Sequence, residues 1–336
     1  MNFLSPNDHL PRNDSNGSTC EIQDGFLAGT LPVMYSVIST FGFFSNMLAL
    51  WVFQFGTQKT NSITVYMKNL AISDLLLALC LPFRAAYQNE SGPPILCKVV
   101  GTVFYITMYI SILLLSLICL DRYLKIIWPL QQFRIHKVPH STSASRMVWL
   151  LCIAIMLPYF FNKGNSNDPC SHKCFHFKKR GALAAVLNMT AVLLFFCLLL
   201  FFLYSYSKIS LKLHTASLRK SKRVSSRATL KISVVLLVFT ICFAPYHVVR
   251  VPYIFAQVGV FSAAESVQAL HFANEVVLCI SALNCCFDPI IFFFLSSNFK
   301  RALLAATHGK LKGALQKNPD MSGNRKSITN SRLQDS

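Results

Sequence analysis

Charge is scarce in this chain, and acidic charge scarcest of all. Only 13% of the 336 residues are charged, with 13 Asp and Glu against 32 Lys and Arg, while 53% are hydrophobic. A soluble globular surface needs about twice that share of charge, so the composition excludes an ordinary soluble domain and points to an integral membrane protein. The first residues, Met1-Asn-Phe-Leu-Ser-Pro-Asn-Asp, lack the positively charged start and apolar core of a secretory signal. The first membrane span is therefore expected to direct its own insertion. No period of 20–50 residues recurs, and no inverted symmetry relates the two halves, which disfavours a transporter built from repeats. HExxH and GxSxG are both missing, so neither common zinc-hydrolase nor serine-hydrolase chemistry has its motif. An enzyme is not expected.

What is present is hydrophobic length. Seven runs, near residues 27–54, 63–88, 94–127, 145–162, 181–213, 225–257 and 264–295, approach the ~20 residues that cross a bilayer as a helix. The expected fold is an all-α membrane protein, a seven-helix bundle with short loops. Residues 1–26 form a polar tail, 27–296 the bundle, 297–312 a short amphipathic helix and 313–336 a disordered tail. In the amphipathic helix, Phe299, Leu303 and Leu304 are expected to dip into the interface while the basic residues meet anionic lipid heads.

The net charge of +19 is unevenly placed. Twenty-one of the 32 Lys and Arg fall in the first, second and third loops of one side and in the C-terminal tail. By the positive-inside rule that side is cytoplasmic and the N-terminus extracellular. This accounts for the charge without a nucleic-acid partner. Asn13, Asn16 and Asn89 open glycosylation triplets on the outer side. Asn188 opens another, but inside the fifth span, and is discounted.

Twelve cysteines are scattered, most of them inside spans as small apolar residues. Four lie outside: Cys20, Cys97, Cys170 and Cys174. They allow three pairings; the expected one is Cys97–Cys174, pinning the second outer loop over the bundle mouth, with Cys20–Cys170 as a second bridge. Cys170-Ser-His-Lys-Cys174 reads as structural rather than as a metal site.

Polar residues inside apolar spans carry the chemistry. Asp74 sits mid-span, and Asp288 at similar depth with Asn284 one turn before it. With Asn46 and Ser111 they form an expected polar network, oxygen-rich enough for a sodium ion, the one cofactor considered. Asp121-Arg122-Tyr123 ends the third span. Adjacent residues do not share a helix face, so Arg122 can exchange Asp121 for partners on other helices. On the outer side Arg84, Lys98 and Arg250 converge from three helices, a set suited to phosphate or carboxylate. Tyr105, Tyr253 and Asn274 add neutral hydrogen bonds, and Glu275 either holds a ligand amine or neutralises an arginine. Lys178, Lys179 and Arg180 read as a solvated charge run. Pro245, five residues before Arg250, removes a backbone donor and is the expected kink.

With these residues in place the chain resembles the rhodopsin-like G-protein-coupled receptors over about residues 26 to 312. The resemblance rests on Asn46, Leu70-Ala-Ile-Ser-Asp74, Cys97, Asp121-Arg122-Tyr123, Trp149, Tyr206, Phe239-x-x-Cys-Phe-x-Pro245 and Asp288-Pro-x-x-Phe292, in order across the seven spans. Leu81-Pro-Phe-Arg84, Cys242-Phe-Ala-Pro-Tyr-His247 and Arg250 are similar to the nucleotide and lysophospholipid branch. Cys97-Lys-Val-Val-Gly-Thr-Val-Phe-Tyr105, Met108-Tyr109-Ile-Ser-Ile, Cys174-Phe-His and Asn274-Glu275 resemble its lysophosphatidylserine receptors.

The resemblance implies a plasma-membrane receptor coupled to a heterotrimeric G protein, of the inhibitory class. Its ligand is an anionic lysophospholipid, or alternatively a nucleotide or nucleotide sugar. The implied ligand residues are Arg84, Lys98, Tyr105, Tyr109, His247, Arg250, Tyr253, Asn274 and Glu275, with the acyl chain in a groove beside Tyr105. Asp121, Arg122, Tyr123, Tyr206, Phe243, Pro245 and Phe292 are the implied switch. Three departures stand out. Ser45 replaces the usual glycine before Asn46, and Leu198 the usual proline of the fifth span. Phe292 replaces a tyrosine whose hydroxyl bonds, through water, with Tyr206 in the active state. Residues 258–268 also lack the cysteine that would otherwise partner Cys20, which motivates the Cys20–Cys170 pairing.

Overall fold

Proline shapes these helices more than any other residue, because each one leaves the carbonyl four residues earlier without its backbone donor. The computed structural model describes residues 25–56, 60–88, 90–131, 133–161, 173–217, 222–261, 263–296 and 299–305. They form α1 (Gly25–Trp51, closed by a π-turn at Val52–Gly56), α2 (Ser62–Ala86), α3 (Pro94–Ile127) and a 3₁₀ turn (Arg134–His136). Then follow α4 (Val138–Phe161), α5 (Ala182–Ser217), α6 (Lys222–Gln257), α7 (Ala264–Ala282) and α8 (Asn284–Leu295). A turn at Leu283 separates α7 from α8, which together make the seventh span.

Two of the freed carbonyls are recaptured by polar side chains on α1. Pro82 frees Ala78, and Ser39 Oγ donates to that oxygen at 2.7 Å. Pro289 frees Cys285, and Asn46 Nδ2 donates there at 2.7 Å. In hydrocarbon, where water cannot serve, such replacements let a helix continue past proline. They also fasten α1 to α2 and α8. Gly42 allows that closeness: a Cβ there would stand 2.6 Å from Cys285 Sγ.

Among the described residues, seven helices have the length and apolarity of membrane spans. The boundaries expected from the apolar runs hold within a few residues at α2, α3 and α7–α8. Helix α4 differs, starting at Val138 rather than near 145. Its first turns are Ser- and Thr-rich, but Ser141, Thr142 and Ser145 donate to carbonyls three or four residues back. The hydroxyls are thereby satisfied within the helix, and the polar stretch lacks an apolar pattern. Helices α5 and α6 are 36 residues each, about 54 Å long, and overrun the ~30 Å hydrocarbon core on the side rich in Lys and Arg.

Burial grades across the bundle. In its membrane window α3 is 61% buried, against 17% for α4 and for α5, so α3 is the axis and those two helices are its outer wall. Each packs on α3, but among the described residues they scarcely touch one another. Residues 299–305 are helical, and Phe299 returns to the core against Phe53 and Phe292. The glycosylation triplets at Asn13, Asn16 and Asn89, the cysteines Cys20 and Cys170, and the tail 313–336 lie outside the described residues.

Candidate ligand site and switch region

At the end of the bundle that carries Cys97, a disulfide joins Cys97 of α3 to Cys174, with Cα atoms 5.5 Å apart. Cys174 N–H also donates to Glu90 C=O at 2.9 Å. Phe175, the next residue, lies in the left-handed region, φ 57°, which costs a non-glycine residue about 1–2 kcal/mol. What offsets it is the ring's position: Phe175 lies 4.6 Å from the guanidinium of Arg84.

Arg84 is heavily partnered. Its Nη2 donates to Glu275 Oε2 at 2.7 Å and its Nε to the Tyr35 hydroxyl at 3.1 Å. The Phe104 ring covers it at 4.9 Å. Glu275 takes a second bond from Gln88 Nε2 at 2.9 Å and a third from Asn274 Nδ2 at 3.3 Å. Both ions are nearly fully buried. Of the two roles open to Glu275, the structure shows the neutralising one.

Arg250 is held differently. Nη2 donates to Asn188 Oδ1 at 2.9 Å, and Nη1 reaches Asn274 Oδ1 at 3.5 Å. The rings of Tyr105, Tyr246 and Tyr253 surround it at 5.9, 5.8 and 5.2 Å, an arrangement that attracts a cation without neutralising it. Among the described residues no carboxylate pairs with Arg250, and its Nε lacks an acceptor. One turn along α6, His247 stacks on Phe195 at 3.8 Å and beside Tyr109 at 6.2 Å. Its Nδ1 lies 2.8 Å from Phe243 C=O. A carbonyl only accepts, so Nδ1 carries the proton and buried Nε2, without a partner among the described residues, offers a lone pair. Tyr253 lies 3.4 Å from His271 Nδ1. Lys98 is half-buried at the start of the second turn of α3.

Midway down the bundle, Asn284 Nδ2 donates to Asp74 Oδ1 at 3.2 Å, and the carboxyls of Asp74 and Asp288 adjoin. Asp74 Oδ2, both Asp288 oxygens and Asn46 Oδ1 are buried without a donor among the described residues. Ser111 is buried on α3.

At the opposite end, Asp121 is caged. It accepts from Ser62 Oγ of α2 at 2.8 Å and from Lys125 Nζ of α3 at 3.0 Å, and meets His136 Nδ1 of the 3₁₀ turn at 2.9 Å. Arg122 has no part in this and keeps a buried Nε without an acceptor among the described residues. Tyr123 packs with Tyr206, Ile209 and Ile232, linking α3 to α5 and α6. Phe243 and Phe239, below Pro245, are fully buried and stand edge-on at 5.6 Å. Phe292 contacts the rings of Phe53 and Phe299 at 5.5 and 6.1 Å, an apolar site. Trp149 Nε1 donates to Asn69 Oδ1 at 3.1 Å, tying α4 to α2.

Residues 45–292 match the profile of the 7 transmembrane receptor (rhodopsin family). The chain belongs to that family. It is 38% identical to Probable G-protein coupled receptor 34 of Pan troglodytes, over 93% of this chain and 86% of that protein. It is 33% identical to a purinoceptor of Bos taurus, over 84% and 86%. It is 29% identical to Platelet-activating factor receptor of Cavia porcellus, over 85% and 88%. As a rhodopsin-family receptor it is a multi-pass protein of the plasma membrane and not an enzyme.

In this receptor several site residues escape a reading of the sequence. Asn188 resembles a stray glycosylation triplet, yet it makes the firmest hydrogen bond of Arg250. Gln88, Phe175, Ser62, Lys125 and His136 sit in loops or at helix ends, where polar or aromatic residues are ordinary. Only Asn188, polar within an apolar run, gives a usable signal.

Proposed function

We propose that this receptor binds an anionic lysophospholipid from the extracellular side, where its N-terminus also lies, and activates a heterotrimeric G protein of the inhibitory class. The observation that carries the reading is the contrast between the two arginines. Arg84 is neutralised by Glu275, whereas Arg250 is a buried guanidinium set among neutral amides and phenols. An unpaired buried cation is costly until an anion joins it. One such cation suits a singly phosphorylated head, which Tyr253, Asn274 and Asn188 would orient. Binding energy that differs between two packings of the bundle shifts their populations. Outward movement of α6 about Pro245 would then open a crevice at Arg122.

A second reading is a nucleotide or nucleotide sugar, favoured by the purinoceptors among the relatives. A diphosphate would need a second free cation, and Asn274 and the Arg84–Glu275 pair both count against one. The test is G-protein dissociation in cells with and without the receptor, for lysophosphatidylserine and for nucleotide diphosphates, on wild type and Arg250→Ala. A nucleotide response without a lysolipid response, or unchanged lysolipid potency in the variant, overturns the choice.

We also propose a sodium ion among Asp74, Asp288, Asn46, Asn284 and Ser111. The buried oxygens that lack donors fit a hard cation, and a positive charge there would offset the repulsion of adjacent carboxylates.

A further inference from the structure

Because α4 and α5 lean on α3 without closing on each other, a groove opens between them toward the membrane. Its volume is about 480 Å³. The floor is Leu113, Leu117 and Leu120 of α3, and the walls include Met147 and Leu151 of α4 and Phe201 of α5. From Leu113 to Leu120 it runs about 10 Å along α3, ending one residue before Asp121. The lining is hydrocarbon apart from Ser116, whose hydroxyl donates to Ile112 C=O at 2.8 Å within its own helix. Among the described residues no other polar side chain lines the groove to anchor a hydroxyl or amide. This groove is distinct from the Arg250 site. It begins two helical turns below Tyr105, deeper than the tail groove expected beside that residue.

Basic residues follow its lining toward the Lys- and Arg-rich side on both walls. Arg146 precedes the lining residue Met147, and exposed Lys208 lies two turns below Phe201 on the same stripe of α5. Lys208 Nζ leans over the Tyr204 ring at 5.7 Å, and Lys212 Nζ donates to Ile127 C=O at 2.6 Å, closing the corner between α3 and α5. A dry slot with a cation farther along each wall helix matches an amphiphile with one extended chain and an anionic head. Its lack of an internal polar partner disfavours a buried sterol hydroxyl.

We propose that this groove seats one acyl chain of an anionic membrane phospholipid, with the phosphate held between Arg146 and Lys208. The seated chain fills the space between α4 and α5 and supports the stretch of α3 that carries Asp121 and Arg122.

The test uses the full receptor in phosphatidylcholine vesicles doped with either phosphatidylglycerol or phosphatidylcholine bearing a diazirine on one acyl chain, with labelled peptides mapped after irradiation. Expected is at least about fivefold more label on Leu117, Met147 and Leu151 from the glycerol lipid than from the choline lipid. Phe41 and Phe44, on the lipid-facing side of α1, should show no head-group preference. Arg146→Gln with Lys208→Gln, both surface changes, should reduce the preference to parity. Leu117→Phe with Leu151→Phe should remove groove label and leave α1 label intact. Equal labelling of groove and α1 by both lipids overturns the proposal. So does displacement of groove label by lysophosphatidylserine, which would assign the groove to the extracellular ligand.

Discussion

His136 Nδ1 lies 2.9 Å from Asp121 Oδ1, and Arg122, the neighbour of that carboxylate in sequence, is not among its partners. A turn outside the membrane thus shares the acid with α2 and α3. No hydrogen bond joins the neighbours Asp121 and Arg122 among the described residues. Arg122 is half-buried with its Nε unpaired among the described residues, and Asp121 holds the loop.

His136→Ala should therefore loosen the cage. A hydrogen bond to a charged group contributes about 1.5–3 kcal/mol, so agonist-independent nucleotide exchange in membranes should rise about tenfold or more. His136→Gln keeps an amide donor and should stay close to wild type. Equal basal activity in both variants would remove His136 from the switch.

Arg84 and Arg250 should separate by phenotype. Arg84→Ala strands a buried Glu275 and is expected to cost about 3–5 kcal/mol, seen as lost surface expression and a lower Tm. Arg84→Met combined with Glu275→Leu should recover most of it, since a buried ion pair replaced by apolar groups is often neutral. Arg250→Ala should leave Tm near wild type while agonist potency falls by about 100-fold, the loss of one buried charge-assisted contact.

Asp74→Asn tests the ion. Agonist potency of the wild type should fall as sodium replaces choline at constant ionic strength, and the variant's potency should not respond. A wild-type curve indifferent to sodium would count against a bound cation.

Phe292→Tyr would put a hydroxyl into the apolar setting of Phe53 and Phe299. Resting stability should drop by about 1–3 kcal/mol, read by thermal unfolding without agonist. The water-mediated bond with Tyr206 that the family resemblance implies for the active state should raise agonist-stimulated exchange at the same time.

Much of the bundle is legible because membrane burial makes polar residues conspicuous. Asn46, Asp74 and Asp288 stand out in apolar runs, and the structure brings all three to α8. Pairings are another matter. Ser39 and Asn46 act on carbonyls freed by Pro82 and Pro289, a relation visible only once the helices are packed. The first turns of α4 escape notice because they lack an apolar pattern, their serine and threonine hydroxyls bonding back to the helix's own carbonyls. Glu275 carries two readings that only its distance to Arg84 separates.

The Arg84–Glu275 pair also imposes an order on biosynthesis. The two residues are 191 positions apart in the chain, and ribosomes add about 5–20 residues per second. For roughly 10 to 40 seconds the guanidinium emerging with α2 has no carboxylate to meet. The nascent bundle must shelter it meanwhile, through the Tyr35 hydroxyl and the Phe104 ring. A chain stopped before α7 would keep Arg84 with the Tyr35 hydroxyl and the Phe104 ring but without its carboxylate.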